Sequence, residues 1–310
     1  MHDSPQFFGF DTVMVDVVLR IASLPLRGSD SLASERLVTA GGGFNAMSAA
    51  ARQGMNVSYV GQLGAGAFSE VATEALKNES INVAVRAREG HDLGFCVVLV
   101  DAEGERTFIT SPGAEGTLLA SEIATVVIDD GDYVFLSGYN FVYPATRAQI
   151  VTWLERLSDG VVVCFDPGPR VLDIPEETLR RALERTDWLL CNLSEATSLT
   201  GETSSSRCAH RLLSMSGRRG VVVRTGAAGC VGVRRGEKVV AVEGVKAKVV
   251  DTNGAGDVHN GVFLAETARG ASFVEALQRA NVAASIAISQ LGPATCPSRD
   301  IVTQRLALHF

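Results

Sequence analysis

The chain has 310 residues, 46% of them hydrophobic and 20% charged, with a formal net charge of −7. This composition belongs to a folded protein of one large or two ordinary domains and excludes a disordered chain. The acidic balance argues against nucleic-acid binding, and no apolar run approaches the ~20 residues that span a bilayer.

Met1 to Gln6 lacks a basic leader segment, so the cytoplasm is the expected compartment. Phe10 to Ile21 then reads as a β run interrupted by one carboxylate, Asp16. A carboxylate in a buried strand is costly unless satisfied. Asp16 is therefore expected at the strand's end facing a polar cavity, with a plain solvent-facing residue as the alternative. Glu35 to Thr39 looks like another short strand. Ala40-Gly41-Gly42-Gly43-Phe44-Asn45 leads into an Ala-rich helix from Ala46 to Gln53. Glycines before a helix leave backbone amides exposed, and Asn45 offers a donor and acceptors to a polyol. Val57 to Gly64 is a strand and turn, followed by a helix from Phe68 to Lys77. Gly94 to Val100 and Glu105 to Thr110 flank a short polar turn and read as a hairpin. With the strands near 17–22 and 35–39 it makes a small sheet whose apolar face needs a cover.

From Asp132 onward the rhythm is strand then helix. Val134 to Gly138 precedes a helix from Ala145 to Leu157, and Val161 to Asp166 precedes the turn Pro167-Gly168-Pro169-Arg170. Trp188 to Asn192 precedes a helix beginning near Ser194, and Gly220 to Arg224 precedes Thr225-Gly226-Ala227-Ala228-Gly229. Continuous apolar strands alternating with helices indicate a parallel sheet covered on both faces. Ligands bind such sheets beyond the strands' carboxyl ends, where Asp166, Asn192, Thr225 and Asp257 are all expected. The six cysteines form no Cys-x-x-Cys pair, and neither a disulfide framework nor a zinc site is indicated.

Val249-Val250 runs into Asp251-Thr252-Asn253-Gly254-Ala255-Gly256-Asp257, and an apolar-periodic segment follows from Val262 to Ala268. Gly254 to Asp257 should start a helix whose bare amides and dipole make a phosphate site. A carboxylate there is repelled unless it accepts a proton from an attacking hydroxyl; the bland alternative is a capped Gly-rich turn.

The pattern Asp-Thr-x-Gly-Ala-Gly-Asp resembles the second signature of the ribokinase/PfkB family of carbohydrate and nucleoside kinases. Ala40 to Asn45 resembles the first, and the landmarks recur in order over nearly the whole chain. The resemblance implies a ribokinase-like, Rossmann-type three-layer α/β sandwich, one domain over 1–310, with a mostly parallel sheet. Its β-sheet lid would come from about 16–40 and 93–112 and supply a homodimer contact. It implies ATP- and Mg²⁺-dependent phosphorylation of a hydroxyl on a small sugar or sugar-like substrate. Asp257 is then the base, with Gly254, Ala255 and Gly256 as the anion hole. Asp16, Gly41, Gly42, Asn45 and Asp166 would hold the acceptor, and Arg106 and Arg170 would meet a carboxylate if the acceptor is an acidic sugar such as a ketodeoxygluconate.

Asn192-Leu193-Ser194-Glu195 matches the family's Asn-x-x-Glu, implying Mg²⁺ contact through water; a Glu in a helix's first turn is the plainer reading. Arg224, Thr225, Gly226 and Gly229 resemble the nucleotide-phosphate turn, with Arg224 at the usual Thr. Asn281 matches a residue beside adenine, or is a polar residue on a partly exposed helix face. Ser289, Gly292 and Asp251 lie where several relatives bind a monovalent cation, so K⁺ is an expected addition. Four departures stand out. Met47 replaces a small residue, and Ala65-Gly66 replace acids. Ser137 to Asn140 lack the Glu of ribokinases, which weakens D-ribose as the acceptor. His259 replaces the usual Phe, to tune the base, touch substrate or pack in the core. A nucleoside, stacked on Phe95, Phe108 or Tyr139, is the alternative acceptor. A non-catalytic sugar- or nucleotide-binding protein is the reading from another class, and the intact Asp257, Asn192 and Glu195 argue against it.

Overall fold

Tyr133 to Ser137 and Val162 to Asp166 are buried along their whole length, as strands covered on both faces must be. The structure, a computed structural model, describes residues 4–216 and 218–309. It opens with β1 (Gln6–Gly9), β2 (Val13–Arg20), β3 (Glu35–Gly42), α1 (Phe44–Arg52), β4 (Asn56–Tyr59), α2 (Ala67–Asn78) and β5 (Asn82–Val83). The hairpin β6 (Phe95–Val100) and β7 (Arg106–Ser111) and the short α3 (Ala120–Ile123) follow. Strands and helices then alternate through β8 (Tyr133–Ser137), α4 (Tyr139–Val142), α5 (Pro144–Leu154), β9 (Val162–Asp166) and α6 (Glu176–Arg185). The alternation continues with β10 (Trp188–Asn192), α7 (Leu193–Thr200), α8 (Ser205–Met215) and β11 (Gly220–Arg224). Next come β12 (Cys230–Arg234), β13 (Val240–Val242), α9 (Ala255–Ala268), α10 (Phe273–Ala287) and α11 (Arg299–Ala307).

The nine-stranded sheet runs β13-β12-β11-β10-β9-β8-β1-β4-β5, parallel except for the antiparallel β12 and β13 at one edge. Alternate residues of its strands feed two cores. Phe7, Phe135, Cys164, Leu190 and Val222 pack with α1, α9 and α10, while Phe8, Leu136, Phe165, Leu189 and Val223 pack with α5, α6 and α8. Burying each such side chain is worth roughly 1.5–3 kcal/mol. β1 and β13, of four and three residues, and the antiparallel β12 are not read from the sequence.

A separate small sheet runs β3-β2-β6-β7. β3 is longer than its apolar signal and carries Gly41 and Gly42 as strand residues, and α1 starts early enough to place Asn45 in its first turn. Asp16 is mid-strand in β2, not at its end, opposite Thr39 and Cys96. It faces a polar cavity all the same, because that sheet lies across the carboxyl ends of the large one. Val249 and Val250 form no strand and are 60% and 49% exposed, so Asp257 follows a loop and not a strand end.

Helices α1 and α9 pack unusually closely. Ala46, Ala49 and Ala50 are fully buried, and a Cβ on Gly261 would lie 2.5 Å from the Ala46 carbonyl oxygen and 2.7 Å from Ala49 Cβ. Met47 fills the space over Gly9, which explains its departure from a small residue. Gly261→Val is expected to destabilise the fold by about 1–3 kcal/mol in urea titration by forcing the two helices apart. An unchanged midpoint would show that the contact is not tight in solution. Among the described residues no helix is long and apolar enough to cross a membrane. The six cysteines are buried and free.

Candidate active site

Gly254 precedes α9 with φ at 72°, a conformation that strains any side chain, and a Cβ there would sit 2.2 Å from the Pro293 carbonyl oxygen. Ala255 and Gly256 follow, so no bulky side chain covers the first turn of a 14-residue helix, where partial positive charge gathers; the Ala255 amide itself donates to Thr252 O at 3.3 Å. Two cavities meet here. One, of about 430 Å³, is lined by Asp11, Asp16, Gly42, Asn45, Asp166 and Asp257, among others. The other, of about 410 Å³, runs from Gly226, Ala227 and Gly229 to Asn281 and Ala284 on α10 and Ile288 at its C-cap. Asn192, Arg224, Thr252, Ala255 and Gly256 line both.

Asp257 faces the first cavity, and Asn45 Nδ2 donates to its Oδ2 at 3.1 Å. Burial pushes its carboxyl up to about 7, helped by the charges of Asp166 and Asp11 and opposed by the Asn45 bond and Arg224. It is thus a far better base near neutrality than an ordinary aspartate. Asp16 is pushed up to about 6 by burial, against a hydrogen bond with Asn253. Gly41 does not line the cavity; a Cβ there would lie 2.3 Å from Asp16 Oδ2, so its role is to leave room for that carboxylate.

Arg224 lies at the junction, its side chain 12% exposed. Its Nη2 donates to Asp166 Oδ2 at 3.0 Å and stands 3.8 Å from Glu195 Oε2, while Nη1 donates to Asn260 Oδ1. Asn260 Nδ2 in turn donates to Asp166 Oδ2 at 2.7 Å. One guanidinium thus balances two carboxylates beside the helix N-terminus. Thr225 precedes the short turn at Gly226–Ala228 without a side-chain cap bond, its amide bonds Gly229 O across the turn, and it is outside the cavity lining. Asn192 and Glu195 form a reciprocal cap on α7: each backbone amide donates to the other's side chain at 2.8 Å, and Asn192 Nδ2 donates to Glu195 Oε1 at 2.8 Å. Burial and the Asp166 charge push Glu195 up to about 7 despite Arg224. Among the described residues no cluster of three or more His, Cys, Asp or Glu could hold a metal ion.

Three expected roles meet different surroundings. Arg106 and Asp251 are paired with each other: Arg106 Nη2 donates to Asp251 Oδ1 and Nη1 to Thr252 Oγ1 at 2.9 Å. The Asn253 and Gly292 amides take up the rest of the Asp251 carboxylate, at 2.8 and 3.1 Å. Arg170 turns away to Asp173, at 2.8 Å, and lines neither cavity. Phe95 stacks on Phe68, leaving Phe108 and Tyr139 of the three expected aromatic residues in the lining of the first cavity, which Phe135 shares. Sequence reasoning missed Asp11, Ser137 and Asn260. Asp11 is buried, accepts from Thr12 N at 2.7 Å and from Ser137 Oγ, and is pushed up to about 6, mainly by burial. Its signal, a lone acid between two apolar runs, is the same one that marks Asp16.

The family model of pfkB carbohydrate kinases matches residues 8–300. The chain belongs to this family. It is 28% identical over 301 residues to the uncharacterized sugar kinase YegV of Escherichia coli, spanning 93% of this chain and 89% of that one. It is 31% identical over 255 residues to 2-dehydro-3-deoxygluconokinase of Escherichia coli, spanning 77% and 82%. The crystal structure of ribokinase from Thermotoga maritima superposes with a TM-score of 0.81 at 25% identity, covering 98% of this chain and 99% of that one. The ribokinase-like fold and its small separate sheet are thus those of a pfkB kinase, a phosphotransferase acting on a sugar.

Proposed function

We propose that this pfkB kinase transfers the terminal phosphoryl group of ATP to a hydroxyl of a small polyhydroxy acceptor, with Asp257 as general base. The observation that carries the reading is the meeting of two cavities at the first turn of α9, with Asp257 on one side and Asn281 on the other. The second cavity suits a nucleotide, since a Cβ on Gly226 would meet nothing within 4 Å and the Ala255 and Gly256 amides stand at its mouth. Bound Mg-ATP supplies the electrophilic phosphorus and neutralises charge developing on the leaving group. Asn45 steadies the Asp257 carboxylate while it takes the acceptor's proton. The α9 amides and Arg224 hold the transferring oxygens. Asn192 and Glu195, already bonded to each other, are the residues that would hold Mg²⁺ through water.

In the acceptor cavity Asp11, Asp16, Asp166 and Asp257 gather, while Arg224 is taken up by Asp166 itself and Arg106 by Asp251. That balance favours a neutral sugar over an acidic one, although a named relative acts on a dehydro-deoxygluconate. A nucleoside is the second reading, favoured by Phe108 and Tyr139. The test is ADP release with Mg-ATP over pentoses, ketohexoses, sugar acids and nucleosides. A neutral acceptor that turns over supports the proposal; ATP binding without turnover on any of them would sink it.

We read the chain as one cytoplasmic domain with its lid. The lid's outer side presents Val17, Val38, Val97 and Ile109 in register, and we assign it to a second copy of the chain; a monomeric mass in solution would refute that. Arg106 already neutralises Asp251, so replacing choline by K⁺ is expected to change turnover less than about twofold. Arg106→Gln frees that carboxylate and should make turnover K⁺-responsive. Equal K⁺ responses in parent and variant would show that the two cations do not compete.

A further inference from the structure

His259 is the one strongly polar side chain at this junction that the scheme above leaves idle. It lies one helical turn past Ala255, is 3% exposed, and lines the nucleotide-side cavity. Neither ring nitrogen makes a hydrogen bond of ordinary geometry. The Asn281 side chain stands near enough to favour a charged ring, which only its Oδ1 can do, while its Nδ2 donates to Val242 O and Glu243 O at 3.2 and 3.0 Å. Burial, reinforced by Arg224, pushes the imidazole down to about 3. The ring is therefore neutral and offers one N–H donor and one bare nitrogen acceptor. A buried polar ring without partners is a cost that phenylalanine would avoid.

Its place along the cavity narrows what the missing partner is. Asn281, Ala284 and Ser285 on α10 and Ile288 at its C-cap recur at helical spacing and line the cavity as a strip that ends apolar. Arg224, Ala255 and Gly256 mark the opposite, phosphate-holding end. His259 is level with Asn281, between the two ends. In a nucleoside triphosphate the group between phosphates and base is the ribose, whose hydroxyls donate and accept at once.

We propose that His259 binds a ribose hydroxyl of the nucleotide and makes the enzyme discriminate ribonucleotides from deoxyribonucleotides. This rests on the reading of the second cavity as the ATP site. The experiment is titration calorimetry of the full chain with ATP, 2′-deoxy-ATP and 3′-deoxy-ATP, on the parent, His259→Phe and His259→Gln. The parent should lose roughly five- to tenfold in affinity with one of the deoxy forms. His259→Phe should bind ATP about as weakly as the parent binds that form, and melt no lower than the parent without nucleotide. His259→Gln, which keeps a donor and an acceptor, should retain part of the preference. A preference unchanged in both variants, or absent in the parent, overturns the proposal and leaves the kinase reading standing. No binding of any nucleotide to the parent overturns both.

Discussion

Asp257→Asn is expected to lower kcat by about 10²–10⁴-fold while ATP affinity stays within a few-fold. The amide keeps the shape and cannot take the proton. Because the base must be ionised and burial has pushed it up to about 7, kcat/KM for the acceptor should climb about tenfold per pH unit below 7 and level off above. Residual turnover of the variant should lack that limb. A pH profile flat from 5 to 8 in the parent would remove Asp257 from the role. Stability moves in the opposite direction. The folded state holds a proton on this group that the unfolded chain, with a carboxyl near 3.8, has lost, so its contribution to stability falls as pH rises between those values. Asp257→Asn should therefore melt higher than the parent at pH 8, by roughly 1–2 kcal/mol after allowing for partial exposure, and by less at pH 5. A variant both inactive and more stable marks a residue kept for chemistry.

Arg224→Met should have the largest structural effect. It strips the cation from a site where Asp166 and Glu195 remain buried, a loss of about 3–5 kcal/mol. Thermal and urea unfolding measure it, and adding Asp166→Asn, which removes one orphaned charge, should restore a large part. The double variant should still transfer phosphoryl groups about 10²-fold more slowly, since no cation faces the oxygens at the helix N-terminus. If Arg224→Met unfolds like the parent, the cluster is not a coupled unit. If the rescued double variant turns over normally, Arg224 serves structure alone.

Much of this was legible in the residues, for definable reasons. Strands such as Val162–Asp166 are apolar on both sides of the pleat and bounded by Pro and Gly, so they announce a covered parallel sheet. The turn at Gly254–Gly256 announces itself by lacking side chains where a helix begins. Partnerships formed across the fold were not legible. Nothing near Arg106 signals that it meets Asp251, 145 residues away, nor does anything near Arg224 signal Asp166. Arg170 misled because proximity to Asp166 in sequence says nothing about direction, and an i,i+3 acid at Asp173 captured it. Gly41 was read as a ligand-facing residue when its lack of a side chain serves Asp16.

The tight seating of α1 on α9 has a mechanical consequence. Asn45 and Asp257 ride on two helices that cannot separate without breaking the Gly261 contact, so the base and its steadying partner behave as one rigid body. The small sheet joins that body where the Gly43 amide bonds the Thr12 carbonyl at 2.8 Å and β3 runs into α1, and it is also held by Arg106 on Asp251 and Thr252 and by Phe95 on Phe68. A swing of the sheet would carry Asp16 and Arg106 together and would have to break the Arg106 bonds to Asp251 and Thr252, just ahead of the helix that holds Asp257. Access to the acceptor is thus tied, through Arg106, to the loop that leads into the helix of the base.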